Sequence, residues 1–212
     1  MNPFLMLKAI PVIKEGNLSF DEFAHATGLG KKVSMELIRF LVKNEIGTFD
    51  SDSVRFDHLD KMRAAMLAIH MGVDLESLSK ILNWQDFEML ATNVLDACGY
   101  IAYHGLRLKK PRAEIDVVGI KDGIALLIDC KHWKRSSPSE LNKFALMQIN
   151  RAKRFVRANE GKIKIAIPAI LTLHLESITF ADDVPVIPVI KFRSFLNEMH
   201  GYMDEIKKVV FL

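Results

Sequence analysis

Cysteine is scarce in this sequence of 212 residues, which contains Cys98 and Cys130 and no other cysteine. The two lie far apart and form no CxxC pair, a pattern that argues against a structural zinc site and against a disulfide framework. Free thiols of this kind are typical of a reducing compartment. We therefore expect a cytoplasmic protein.

Long apolar runs are also missing. The longest, at 124–128 and 165–171, have the length of strands, whereas a membrane-spanning helix needs roughly 18–20 apolar residues. The apolar stretch at 3–13 is interrupted by Lys8 and precedes no small-residue cleavage site, so it does not resemble a signal peptide. Neither a Walker loop nor a dinucleotide fingerprint occurs. We expect no membrane partner and no nucleotide cofactor.

The composition itself is that of a globular protein, since half of the residues are hydrophobic. A net charge of +3 and a pI near 8.8 fit an anionic partner without requiring one. The length allows two small domains. Near residue 83 the pattern changes from mainly helical to an alternation of helices and short apolar strands. We therefore predict one domain at 1–83 and a second at 84–212.

The pattern of the first domain predicts a winged helix-turn-helix, all-helical apart from one hairpin. Ser19 and Glu22 have capping-box spacing at the start of its second helix, and Gly28 and Gly30 supply the turn before its third. Residues 47–57 predict a short hairpin. The predicted helices cover residues 3–14, 19–29, 32–45, 58–71 and 74–82.

A winged helix of this kind would place its third helix in a DNA groove, with basic side chains on phosphates. The candidate side chains are Lys31, Lys32, Arg39 and Lys43. Glu36 and Glu45 offset part of their charge. The alternative is a winged helix that serves dimerisation or another protein contact.

The second domain has the pattern of an α/β (α+β) fold, a mixed sheet flanked by helices. Ser137, Pro138 and Glu140 mark the start of its middle helix with a capping box and a first-turn proline. The predicted helices are 84–98, 138–159 and 191–206, and the predicted strands are 100–108, 113–120, 124–132, 162–171 and 185–190.

Two neighbouring strands place charged residues in apolar surroundings. Side chains alternate along a strand, so Asp129 and Lys131 point the same way as Leu127. A tight turn at 121–123 joins this strand to the previous one and can bring Asp116 close to Asp129. Two adjacent carboxylates repel unless a cation lies between them, and oxygen ligands suit Mg²⁺ or Mn²⁺. The sequence therefore predicts a metal site with Lys131 beside it.

Two helices contribute further polar residues at positions that should face the core. Glu88 falls among Trp84, Ala91 and Leu95 in the first helix of this domain. Gln148 falls within the apolar stripe of the middle helix. Burying either group is costly unless it reaches a polar site, so we expect both near the carboxylates.

These residues resemble the D…(D/E)xK signature of the restriction-endonuclease-like superfamily. The spacing from Asp116 to Asp129-Cys130-Lys131, Glu88 ahead of it, the Gly99-Tyr100 pair and the helix with Gln148 are similar to Mrr-type restriction endonucleases and archaeal Holliday-junction resolvases. The resemblance covers about 84–190. Many relatives have Glu at the position of Asp129.

The resemblance implies a role for each residue. Asp116 and Asp129 would bind the metal together with the backbone carbonyl of Cys130, and Glu88 would bind it directly or through water. Lys131 would orient the attacking water or stabilise charge on phosphorus. Gln148 would support Lys131 or contact the scissile phosphate. The implied reaction is metal-dependent phosphodiester hydrolysis.

Basic residues surround this predicted site and would meet phosphates there. They are Lys109, Lys110, Arg112, Lys134, Arg135 and Arg151. The alternative for this set is an ordinary solvated surface.

The expected function is that of a Mg²⁺-dependent DNA endonuclease acting on duplex or branched DNA. We expect a homodimer, because cleavage of two strands usually needs two sites. The alternatives are a non-catalytic DNA-binding regulator that keeps the nuclease fold and a protein-interaction role.

Overall fold

The computed structural model describes residues 1–74, 77–78, 80–109, 112–131, 137–172 and 179–210. The chain divides into two compact units, Met1–Asn83 and Trp84–Leu212. In the described ranges, none of the helices combines the length and apolar character that crossing a membrane requires.

The elements whose bounds lie within the described residues of the first unit are four helices and a three-stranded antiparallel sheet of order β1-β3-β2. In chain order its elements are α1 (Phe4–Ala9), β1 (Gly16–Ser19), α2 (Phe20–Thr27), α3 (Lys31–Lys43), β2 (Thr48–Asp50), β3 (Ser53–Phe56) and α4 (Asp60–His70).

Local sequence explains most of these boundaries. The Ser19 hydroxyl accepts from the Glu22 backbone N–H while the Glu22 side chain accepts from the Ser19 N–H, so the predicted capping box starts α2. Gly28 ends that helix in the left-handed conformation. The predicted hairpin is confirmed as β2 and β3.

Two expectations for this unit need correction. Helix α1 ends at Ala9 instead of continuing to residue 14, because Pro11 has no N–H to extend the helical ladder. The sequence predicts no strand at Gly16–Ser19, yet these residues form β1 and pair with β3. The predicted helix 74–82 includes residues 75, 76 and 79, which lie outside the described ranges.

The second unit is a mixed sheet flanked by helices, as the sequence predicts. Its elements are α5 (Trp84–Ala97), β4 (Ile101–Leu108), β5 (Ala113–Lys121), β6 (Ile124–Lys131), α6 (Pro138–Ala158), β7 (Ile165–Thr172), β8 (Thr179–Ala181), β9 (Val184–Pro188), α7 (Val189–Tyr202) and β10 (Val209–Val210).

The sheet has the strand order β4-β5-β6-β7-β9-β8, with β10 paired to β7. Strands β4, β5 and β6 form an antiparallel meander, and β6, β7 and β9 run parallel. Asp122 and Gly123 both have positive φ at the turn between β5 and β6. Two consecutive left-handed residues favour the twist of a two-residue hairpin turn, which fixes the register of these strands.

Helix α6 covers one face of the sheet, and its buried residues Ala145, Ile149 and Ala152 join the main core with Leu127 and Val118. Its start is the predicted one, with Ser137 as N-cap, a reciprocal bond to Glu140 and Pro138 in the first turn. The helix that brings Gln148 to the sheet is therefore well defined by local sequence.

Helix α5 lies against Gly119 of β5. A Cβ placed on Gly119 would lie 2.7 Å from the Leu95 Cδ2 atom, so the helix and strand approach closely because residue 119 has no side chain. The buried face of α5 includes Phe87, Ala91 and Leu95. Trp84 is 57% exposed and not core-facing as expected, because the buried stripe begins one turn later, at Phe87.

Candidate active site

The sheet opens between β5 and β6 at the position of the predicted carboxylates. The ladder between these strands ends at Val117–Ile128. Beyond it, β5 stays paired with β4 as far as Ala113, and β6 stays paired with β7 as far as Lys131. Asp116 and Asp129 are the next residues after the last pair. They therefore face the gap where the two strands separate.

Asp116 is tied to the opposite strand by its side chain. Its Oδ2 atom accepts a hydrogen bond of 2.8 Å from the backbone N–H of Cys130. Burial and the nearby Asp129 raise the pKa of the Asp116 carboxyl, while the Cys130 N–H, Lys131 and Arg151 act to lower it. The structure thus brings Asp116 and Asp129 together, as the hairpin predicts.

Asp129 is nearly fully buried, with 2% of its side chain exposed, and two cations neutralise it. Its Oδ2 atom lies 2.7 Å from the Lys131 Nζ, and its Oδ1 atom lies 2.8 Å from the Arg151 Nη1. The Lys131 ammonium also sits 4.9 Å from the centre of the Phe144 ring. The expected Asp–Lys pair is present, and the aromatic ring adds a cation–π contact to it.

Gln148 reaches this cluster from α6 and is fully buried. Its Oε1 atom accepts a bond of 3.0 Å from the same Arg151 Nη1 that binds Asp129. Its Nε2 group has no hydrogen-bond partner among the described residues. A buried amide donor without a partner is costly, and such groups occur where a site has a ligand or water to bind.

Glu88, on helix α5, is the remaining predicted residue near this cluster. Burial and the charges of Asp116, Glu114 and Asp129 raise the pKa of Glu88 to about 7. Glu114 is a contributor that the sequence did not single out. Near neutral pH, Glu88 is therefore only partly ionised, because its neighbours disfavour another negative charge.

The carboxylates of this cluster are the type of ligand that a hard divalent cation prefers. Carboxylate oxygens are the ligands that Mg²⁺ and Mn²⁺ prefer, and a cation would relieve the repulsion that raises the pKa of Glu88 and Asp116. Among the described residues, however, no three Asp, Glu, His or Cys side chains are already gathered as a metal-binding group. Lys131 and Arg151 already neutralise Asp129, so a bound cation would compete with them for its negative charge.

Cys130 does not offer a thiolate to such a metal. Burial, followed by Asp116, Glu88 and Asp129, raises the pKa of its thiol well above the ordinary value. The thiol is therefore protonated near neutral pH. A contribution from Cys130 would have to come from its backbone carbonyl, as the family resemblance implies.

The structure separates the predicted basic residues into distinct groups. Lys109 and Arg112 are exposed at the ends of β4 and β5. Arg151, expected only as a phosphate contact, instead binds Asp129 and Gln148. Its position one helical turn after Gln148 was a signal for this, because residues i and i+3 share a helix face. Lys110, Lys134 and Arg135 lie outside the described residues.

The basic residues predicted to contact DNA in the first unit all belong to α3. Lys32, Arg39 and Lys43 are exposed. Lys31 is exposed as well, and its Nζ lies 2.8 Å from the Asp21 carboxylate. Glu36 is exposed on the same helix and lowers its net positive charge.

Comparison with known proteins identifies the family to which the second unit belongs. Residues 84–192, slightly more than half of the chain, match the nuclease-related domain (NERD) family. The chain belongs to this family. Membership gives the second unit a nuclease-related function and makes nucleic acid its expected class of substrate.

The relatives themselves add little about activity. An uncharacterised protein from Archaeoglobus fulgidus is 31% identical over 128 residues, which are 58% of this chain and 97% of that protein. Protein VC1899 from Vibrio cholerae aligns with 94% of this chain and 51% of its own, at 12% identity and a TM-score of 0.38. A solved protein of unknown function, AF1548, aligns with 43% of this chain and 47% of its own, at 19% identity and a TM-score of 0.32. The chain spans about half the length of these two solved proteins.

Proposed function

We propose that this protein is a metal-dependent DNA endonuclease of the restriction-endonuclease-like type, related to Mrr-type enzymes and junction resolvases. The observation that supports this most is the arrangement of Asp116, Asp129 and Lys131 where β5 and β6 separate. Glu88 from α5 and Gln148 from α6 lie near the same gap, Glu88 close enough for its charge to interact with both aspartates and Gln148 through its bond to Arg151.

Asp116, Asp129, the Cys130 carbonyl and Glu88 would hold Mg²⁺ or Mn²⁺, which would supply Lewis-acid activation of water and phosphate. Lys131 lies on the same strand face as Asp129, so its ammonium can stabilise negative charge that develops on a phosphate there. The Nε2 donor of Gln148, for which the described residues offer no hydrogen-bond partner, can bind a phosphate oxygen or orient Lys131. The half-ionised Glu88 can hold or release a proton near neutral pH.

We further propose that the first unit is a winged helix that binds DNA. Its order of α1, β1, α2, α3 and the β2–β3 hairpin, closed by a three-stranded sheet, supports this. Lys32, Arg39 and Lys43 on the exposed face of α3 suit phosphate contacts. A homodimer would provide the two active sites that cleavage of both strands requires.

One observation favours a second candidate, a DNA-binding protein that has the nuclease fold without catalysis. Asp129 is already neutralised by Lys131 and Arg151, and the described residues contain no ready-made group of three metal ligands. Such a protein would bind DNA equally well in the presence of a chelator.

Cleavage of a panel of substrates distinguishes the two candidates. Linear duplex, single-stranded and four-way-junction DNA are incubated with Mg²⁺ or Mn²⁺, and with EDTA as control. The endonuclease proposal expects metal-dependent cutting that Asp129→Asn and Lys131→Met abolish without loss of DNA binding. Lys153→Met, on the exposed part of α6, is the matched control and should cut normally. Tight binding with no cutting under any condition would instead support the non-catalytic candidate.

A further inference from the structure

Asp129 has a cation on each of its carboxylate oxygens. Lys131 takes Oδ2 at 2.7 Å and Arg151 takes Oδ1 at 2.8 Å. These are the same oxygens that a carboxylate uses to bind a metal ion. With its side chain 2% exposed, Asp129 is shielded from a further cation by these two side chains. A divalent ion and at least one of these side chains therefore compete for Asp129.

Of the two cations, Arg151 is the one that can leave. Lys131 lies two residues from Asp129 on the same strand and is held over the Phe144 ring. Arg151 comes from α6 at the end of a long side chain, and its bond to the Oε1 atom of Gln148 can keep the guanidinium beside the site after its bond to Asp129 breaks. The Arg151 and Lys131 side chains are equally exposed, at 20% each, so the difference between them lies in how each is held.

We propose that Arg151 competes with the metal for Asp129 and turns to a substrate phosphate when the metal displaces it. This inference rests on the proposed metal-dependent nuclease. The Arg151 guanidinium acts as an internal counter-ion that weakens metal binding until substrate is present. A phosphate then stabilises the released guanidinium, because an arginine binds phosphate oxygens through charge-assisted bonds. Metal and nucleic acid consequently bind with positive coupling.

The measurement is the affinity of the full-length protein for Mn²⁺ alone, by titration calorimetry, in wild type and in Arg151→Gln. Arg151→Met serves as a second neutral variant in case one fails to fold. Arg157→Gln removes the same charge from an exposed position of the same helix and is the matched control. Far-UV circular dichroism verifies folding.

Removal of the competing cation should tighten Mn²⁺ binding about 5-fold or more, the usual lower range of such coupling. The maximal cleavage rate should fall in the same variant, because the phosphate loses its guanidinium. Duplex DNA should tighten Mn²⁺ binding to the wild type but much less to Arg151→Gln. A purely structural role for Arg151 predicts the opposite, namely weaker or unchanged Mn²⁺ affinity together with a lower melting temperature.

The outcomes separate this inference from the proposed function. If wild type cuts DNA with Mn²⁺ while folded Arg151→Gln and Arg157→Gln bind Mn²⁺ equally well, the competition is wrong and the nuclease stands. If wild type neither binds Mn²⁺ nor cuts at saturating metal, both are wrong.

Discussion

The carboxylate of Asp116 accepts a hydrogen bond from the backbone N–H of Cys130 across the gap between β5 and β6. Cys130 is the residue that follows Asp129. This 2.8 Å bond replaces a ladder contact at the point where the two strands stop pairing. It holds the Asp116 side chain beside Asp129, which is the relationship on which the proposed site depends.

Substitution of Asp116 should separate catalysis from folding. In Asp116→Asn the amide oxygen can still accept the hydrogen bond from the Cys130 N–H, so we expect stability close to wild type. Cleavage should fall by about 100-fold or more, because loss of a residue that only supports a metal ligand already lowers activity by about 10- to 100-fold. Asp116→Ala should lose the same activity and, in addition, about 1–3 kcal/mol of stability because the Cys130 N–H has lost its partner. Urea unfolding and single-turnover cleavage measure the two effects. Equal stabilities of the two variants would contradict the structural role of the bond.

Glu88 should make the stability of the protein without added metal decrease with pH. Its folded-state pKa of about 7 exceeds the ordinary value of 4.5. Its contribution to stability is therefore fully present below pH 4.5 and is lost as the pH rises through 7. In Glu88→Gln this loss should be absent, a difference on the order of 1 kcal/mol once partial exposure is allowed for.

The comparison is made by urea unfolding in EDTA at pH 5.5 and 8.5. Exposed Glu160, at the end of α6, provides the control variant Glu160→Gln, which should follow wild type. A Glu88→Gln protein with the same pH dependence as wild type would show that the neighbouring carboxylates do not act on Glu88 as inferred.

The close approach of α5 to β5 should not tolerate a methyl group at residue 119. In Gly119→Ala the new Cβ would lie 2.7 and 2.9 Å from the two Leu95 methyl carbons. Since Leu95 is fully buried, we expect a loss of about 1–3 kcal/mol from overpacking. The loss should be much smaller in a Leu95→Ala background, which a double-mutant cycle measures.

Gly201 provides the matched control for this substitution, since a Cβ there would have no neighbour within 4 Å. Gly201→Ala lies within α7 and should be neutral or stabilise by up to about 1 kcal/mol. If Gly119→Ala behaved like Gly201→Ala, the close packing of Leu95 on β5 would be wrong.

The exposed cations of α3 should govern the salt dependence of DNA binding. Replacing Lys32, Arg39 and Lys43 by Gln should lower the slope of log affinity against log salt by up to about 0.9 per lost phosphate contact. Fluorescence anisotropy with duplex DNA at several salt concentrations measures this slope. Lys14→Gln, exposed elsewhere in the same unit, is the control. An unchanged slope in the triple variant would favour a protein-contact role for this unit.

Much of the second unit could be predicted, because strand alternation, helical periodicity and capping motifs indicate the same buried faces that the structure has. The alternation in β6 places Asp129 and Lys131 on one face, and the interrupted stripe of α6 places Gln148 in the core. Strand β6 and helix α6 are both long enough for their periodicity to be clear, and a capping box marks the start of α6.

Other features depend on tertiary contacts that no local pattern contains. Strands β1, β8 and β10 have two to four residues, too few for a detectable alternation. Non-glycine residues Asp182 and Asp183 make the turn between β8 and β9 with positive φ, so the usual glycine signal is missing. The bond from Arg151 to Asp129 joins residues whose distance in space depends on how α6 lies across the sheet.

The turn at Asp122 and Gly123 has a consequence for the whole site, although neither residue is part of it. Each residue added or removed there would slide β6 by one position against β5 and point Asp129 and Lys131 away from α6. Arg151, Gln148 and Phe144 would then face Ile128 and Cys130 instead. The length of this turn, rather than the identity of its side chains, therefore decides which residues of β6 lie beside Asp116 and α6.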